Sequence, residues 1–325
     1  MTAPADGPMT DLGFVSARRL VDGSTDVIFS LAPGDRPLVE AGQSVVAGEP
    51  IADRLRDARL SDVSDTAALH PKPGGRVDPG ELLFEWRGRW RVAGGEMSEP
   101  LETPVAGIVR SVRPGTSIVV RATGRALPGI VTLGGPTRGR LHVAASSDGE
   151  LRAGGLDVGL AGTILVVGSR IDAETLTRAR AMGIRGIVVA GLASKERRDF
   201  LASEKRQKAA LHRLPPYAVL VLDGAVRRPL SSPVMGVLRA LAGHDVAIVN
   251  DPPGLLFDAP DVDLPVPAVD LVRIRGGDLA GREGQWAGLV GPRRFAGGVH
   301  LEAGSVRLAD GSVVALPIGD LERFV

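Results

Sequence analysis

The chain has no cysteine, only four lysines and only 11 aromatic residues among its 325 positions. Without cysteine there is no disulfide framework, no thiolate zinc or iron–sulfur site and no thiol nucleophile. With seven Phe, three Trp and one Tyr, packing falls to Ala, Val, Leu and Ile. The same scarcity disfavours platforms that stack single-stranded bases. Long hydrophobic runs are missing too: the best, 159–168 and 184–193, are interrupted and fall short of the roughly eighteen residues a membrane span needs. No one sign of charge dominates, since 39 basic groups face 38 acidic ones, which excludes a grossly basic nucleic-acid coat or an acidic solvating tail. The start, MTAPADGPMTD, lacks a basic stretch followed by an apolar one, so residues 1–12 read as a disordered tail rather than a signal peptide. The expected location is cytoplasmic.

What is present is ordinary for a globular chain, 44% hydrophobic and 24% charged, at about twice the commonest domain length. Charge divides it. Residues 157–250 are net +6, while 251–270 are net −5 and carry five prolines. Proline fixes φ and donates no hydrogen bond, so 251–270 reads as an acidic Pro-rich connector, neither helix nor central strand. Its Leu255, Leu256, Phe257 and Val262 predict that it lies against a domain surface.

Segment 157–250 has the clearest periodicity. Apolar runs at 163–167, 184–190, 218–222 and 246–249 alternate with helical patterns at 171–182, 195–211 and from Ser231 or Ser232 to near Gly243. Asp172 and Ser194 are candidate caps and Gly183 a helix stop. Near-continuous apolar strands alternating with helices predict a parallel, Rossmann-like α/β domain covered on both faces. Residues 13–156 instead show Gly and Pro every 8–12 positions and one helix-length pattern, Ile51 to Leu60, which is an all-β signature.

Within that β region, PLVEAGQSVVAGEPIA (37–52) and TPVAGIVRSVRPGTSIVVRATG (103–124) echo each other. Together they resemble the two halves of a barrel-sandwich hybrid, the fold of biotinyl and lipoyl carrier domains. The carriers' modified lysine sits on a tight hairpin between the halves; here residues 53–102 intervene, and Lys72 lies between prolines in HPKPGGRV, which disfavours a carrier role. At the other end, VRIRGGDLAGREGQW (272–286) resembles the KOW motif of transcription elongation factors and ribosomal proteins. That resemblance implies a small five-stranded barrel over 271–325 that docks RNA or protein. Its turn needs glycine for positive φ or close backbone approach. A stretch at 288–304, GLVGPRRFAGGVHLEAG, departs from the pattern and reads as a lengthened loop. The whole is expected to be a multidomain α+β protein: tail 1–12, β domain 13–156, α/β domain 157–250, connector 251–270 and KOW-like barrel 271–325.

Parallel sheets collect ligands beyond the carboxyl ends of their strands. Those ends supply Ser169, Arg170, Ser194, Lys195 and Asp223, a set that would suit a phosphate at helix starts, although serines ahead of helices are caps far more often than ligands. No GxGxxG follows the first strand. GGDLAGRE (276–283) mimics P-loop spacing but places Arg282 and Glu283 where Lys and a hydroxyl belong, so it is no nucleotide loop. The five histidines have no metal-ligand spacing. No catalytic set, metal site or cofactor is implied, and an enzyme is disfavoured. Phe84 to Val92 alternates with period two, putting Trp86 and Trp90 on one strand face and Arg87, Arg89 and Arg91 on the other. With Arg197, Arg198, Arg282, Arg293 and Arg294, these arginines are candidate contacts to a partner or nucleic acid. The expected function is a non-catalytic adaptor or assembly subunit that docks a protein partner or itself. One alternative is RNA or nucleic-acid binding through the KOW-like barrel; the other is an enzyme or sensor for a small phosphorylated anion.

Overall fold

A computed structural model describes residues 12–15, 18–31, 35–55, 82–86, 89–92, 98–209, 216–265 and 267–324. The first stretch of chain contributes β1 (Gly13–Val15), β2 (Val21–Ser30), β3 (Arg36–Pro37), β4 (Ser44–Val45) and β5 (Pro50–Leu55). Then follow β6 (Leu82–Trp86), β7 (Arg89–Val92), β8 (Ser98–Glu102), β9 (Gly107–Arg113) and β10 (Ser117–Pro128). Next come β11 (Val131–Gly134), β12 (Thr137–Val143), β13 (Glu150–Leu151), β14 (Thr163–Val167), β15 (Arg170–Ile171) and α1 (Ala173–Ala181). Helices alternate with strands through β16 (Gly186–Gly191), α2 (Ser194–Ala209), β17 (Ala218–Gly224), α3 (Ser232–Ala240) and β18 (Asp245–Asn250). The chain ends in β19 (Pro253–Phe257), β20 (Leu271–Ile274), β21 (Glu283–Arg294), β22 (His300–Leu308), β23 (Val313–Pro317) and β24 (Leu321–Phe324). The architecture is mixed α/β, rich in strands, with one large mixed sheet and a separate, mainly antiparallel one. No described helix is long and apolar enough to cross a membrane.

The large sheet has 11 strands, ordered β11-β17-β16-β14-β12-β18-β19-β10-β9-β4 with β2 also paired to β10. Its helical part follows the periodicity. Leu176, Ala179 and Phe200 of α1 and α2 cover one face, against Leu165, Val167, Ile187 and Val219. Val234 and Leu238 of α3, with Leu241 at its C-cap, cover the other, against Ile164, Val166, Val188 and Leu220. Asp172 caps α1 through Thr175 N–H at 2.6 Å, and Gly183 follows the helix at φ 82°. The parallel set, however, is β12, β14, β16 and β17; β18, expected as its fourth strand, runs antiparallel to β12. The run is apolar for a different reason. Val246 and Ile248 enter one core and Ala247 and Val249 another, so both faces of β18 are buried without a parallel neighbour.

The segment 251–270 is corrected likewise. Its β19 lies inside the large sheet between β18 and β10. Of the five prolines, Pro252 and Pro253 fall before or at the first strand residue, where a missing donor costs little, and the other three follow the strand. Beyond the strand, Ala259, Val262 and Leu264 are buried against the α3 core, as their apolar character predicts.

The two echoed N-terminal segments share one core, built from Val39, Val45, Ile51, Val105, Val109, Ile118 and Val120 among others. Backbone bonds interlock them: Gly42 N–H donates to Val109 O at 2.7 Å, and Val109 N–H to Gln43 O at 2.8 Å. Gly107 is needed because a Cβ there would stand 2.2 Å from Arg121 O. Ile51 to Leu55 is strand β5 rather than the start of a helix; 56–60 lie outside the described residues. Nor is Phe84 to Val92 one strand. β6 and β7 pair antiparallel with Trp86 opposite Arg89, so a single period-two face does not extend across both.

The separate sheet, ordered β1-β24-β20-β21-β22-β23, holds the five C-terminal strands plus β1, which pairs parallel with β24. Leu12, expected in a free tail, is 3% exposed in its core with Val272, Ile274, Val306 and Leu321. The rest of that tail, 1–11, lies outside the described residues. The stretch 288–304 is no loop but the outer part of a long β21–β22 hairpin. Two bulges, with Gly288 at φ 111° and Gly291 at φ 83°, twist it.

Candidate functional site

At the carboxyl ends of the parallel strands, loops fold down onto the sheet. A Cβ on Gly168 would stand 2.1 Å from Ser146 O, and one on Gly191 2.3 Å from Val226 O. Leu230 N–H donates to Ser147 O at 2.8 Å, tying the two covering loops together. Ser169, 2% exposed, donates its hydroxyl to Asp148 O at 2.8 Å, with Arg227 Nε 3.4 Å away. Asp223 is ion-paired at 2.9 Å with Arg18, whose guanidinium also donates to the Pro128 and Leu222 carbonyls. Arg18 carried no signal in the sequence, because its partners lie more than a hundred positions away. Arg170 is half exposed and 3.8 Å from Glu150. Ser194 and Lys195 are exposed on the first turn of α2, where Glu196 caps α1 by accepting Ala173 N–H at 2.8 Å. Among the described residues, no hydrogen bond or ion pair links Ser169, Ser194, Lys195 and Asp223 to one another. No three His, Cys, Asp or Glu side chains gather there into a metal-binding group.

The arginines separate into groups. Arg197 and Arg198 are exposed on α2, with Arg198 3.9 Å from Asp199. Arg282 is exposed beside β21, and the Asp310 carboxyl near it is held below the usual range mainly by hydrogen bonds from Ser312. Arg293 and Arg294 stand exposed at the hairpin tip, opposite Leu301 and His300. Arg87 lies outside the described residues; Arg89 and Arg91 lie on β7, and only their backbone register is described. Near the tip arginines, Val299 and Leu301 are 53 and 43% exposed; Leu289, opposite Gly304 further down the hairpin, is 45% exposed. Among the described residues neither tip arginine has an acidic partner.

The C-terminal sheet is engaged within the chain. Gly281, at φ 86°, abuts Pro229 so closely that a Cβ would stand 2.0 Å from the proline ring. Glu283 accepts Ser232 N–H at 3.2 and 3.3 Å, covering the start of α3. Glu322, 5% exposed, draws in Arg273 at 3.2 Å, Arg228 at 3.6 Å and Arg275 at 3.9 Å. The glycine-rich turn thus serves close backbone approach, the role its residues suggested, and what approaches is the loop ahead of α3. No protein-family model and no curated protein sequence matches the chain.

Proposed function

We propose that this protein is a non-catalytic adaptor or assembly subunit whose docking element is the β21–β22 hairpin. The carrying observation is the outer part of the hairpin: exposed Val299 and Leu301 beside Arg293 and Arg294 at the tip, and exposed Leu289 further down, opposite Gly304. Exposed aliphatics on a projecting arm are stable in water only at a cost that a partner's surface removes. Loops 145–149 and 224–230 lie against the strand ends, where a parallel sheet usually takes its ligand, which supports the same reading. The test is light scattering across a concentration series together with affinity capture from native lysate. The Leu289→Ser/Val299→Ser/Leu301→Ser protein should lose the self-association or the captured partner that the parent shows. A parent that stays monomeric and captures nothing overturns the proposal.

A second reading, RNA or nucleic-acid binding, draws on the cationic pair at the tip with His300 opposite Arg294. It requires retention on RNA that weakens steeply with salt and is reduced by Arg293→Glu/Arg294→Glu. Indifference to low-salt RNA sets it aside.

A further inference from the structure

Between the C-terminal sheet, the start of α3 and the segment after β19 lies a cleft of about 730 Å³. The floor is a cross-strand row, Leu271 opposite Gln285 and Gln285 opposite Arg307, so three side chains project from neighbouring strands in one direction. Pro265 and Pro267 line the cleft from the segment after β19, and Pro233 from the first turn of α3. The size lies within the range of small-molecule sites, about 300–1,000 Å³, and a mostly apolar lining with few polar groups is their usual composition. Arg307 is exposed and has no ion pair among the described residues. Glu283, two residues before Gln285 on the same strand face, puts a fixed negative charge beside it, already accepting Ser232 N–H.

We propose that this cleft binds a small monocarboxylate with an apolar body. Arg307 takes the carboxylate, Gln285 donates a second hydrogen bond, and the prolines and Leu271 cover the body. A guanidinium meets a carboxylate through two parallel N–H bonds, which fixes the orientation of the ligand. The Glu283 carboxylate disfavours a dianion at the same position, so a phosphate monoester is the wrong ligand although it too is anionic. The site does not depend on the hairpin or on the adaptor reading.

Isothermal titration of the full chain with 3-phenylpropionate, 3-phenylpropanamide and 3-phenylpropyl phosphate tests this. The carboxylate should give saturable heat, with the amide and the phosphate at least about tenfold weaker. Arg307→Ala should weaken the carboxylate by at least about tenfold, and Arg307→Lys by less, because it keeps the charge without the fork. Ala268→Trp, at an exposed lining residue, should fill the cleft and abolish binding. Arg293→Ala, outside the cleft, should change nothing. Each variant's melting curve establishes that it folds; should Arg307→Ala fail to fold, Ala268→Trp and Arg307→Lys decide. No saturable heat up to about 10 mM, carboxylate binding untouched by the cleft variants, or phosphate binding as tightly as carboxylate each overturns the proposal.

Discussion

Two junctions hold this molecule together, and they are built differently. Between the N-terminal strands and the helical region the junction is a continuous sheet: β19 pairs with β18 on one side and β10 on the other, and alternate residues of these strands feed two cores. Between the helical region and the C-terminal sheet the junction is made of local contacts: Glu322 with Arg228, Glu283 with the Ser232 N–H at the start of α3, and Gly281 against Pro229. A sheet shared through backbone bonds binds its halves into one cooperative unit. A polar seam can open while the sheets on both sides persist.

The sharpest break of the comparison is Leu255→Ala, which leaves a cavity in the core shared by β19, α3 and the parallel strands. It should cost about 4 kcal/mol and lower the melting of both regions in one transition; separate transitions would mean the shared sheet does not couple them. Glu322→Ala strands Arg273 in a buried setting and should cost about 3 kcal/mol. Its calorimetric signature should be a C-terminal transition moving away from an unchanged main one. Gly281→Ala combines positive φ with a collision on Pro229 and should cost about 2 kcal/mol, faster amide exchange in 271–324 being the readout. Asp172→Ala removes a cap far from either junction and should cost about 1 kcal/mol, all of it in the main transition.

The smallest effect is one of pH. Asp26, hydrogen-bonded and ion-paired to Arg121 across β2 and β10, titrates below the ordinary aspartate range. A carboxylate with a depressed folded pKa stabilises above its unfolded pKa, and that contribution disappears as pH falls through the folded one. Acidification below about pH 4 should therefore lower the main transition in the parent more than in Asp26→Asn, by an amount that solvent screening keeps small.

Local signals in the sequence carried over wherever local physics decided. Asp172, Gly183 and the runs 163–167 and 218–222 sit where their caps, stops and periodicity put them, because a helix end or a buried strand is specified within a few residues. Failures occurred where the deciding contact was distant. An apolar run such as 246–249 says that both faces are covered, without saying whether by helices or by two cores. Proline content averaged over 251–270 hid that 254–257 contains none. The lengthened 288–304 looked like a loop because its glycines mark bulges as readily as turns. Candidate-site residues were least legible. Ser169 and Asp223 stand at strand ends as expected, yet their bonds to Asp148 O and Arg18 depend on the folded chain.

The pairing of Gly13–Val15 with Glu322–Phe324 has a consequence for the order of assembly. A ribosome makes the two strands about three hundred residues apart, so the earlier one must be kept unpaired until the later one emerges. Every other strand of the described sheets has at least one neighbour made before Leu321–Phe324. The molecule is a lasso tied last: the remaining strands fold inside a loop of chain whose knot is three residues wide, and an early segment that found another edge in the meantime would leave the final sheet one strand short.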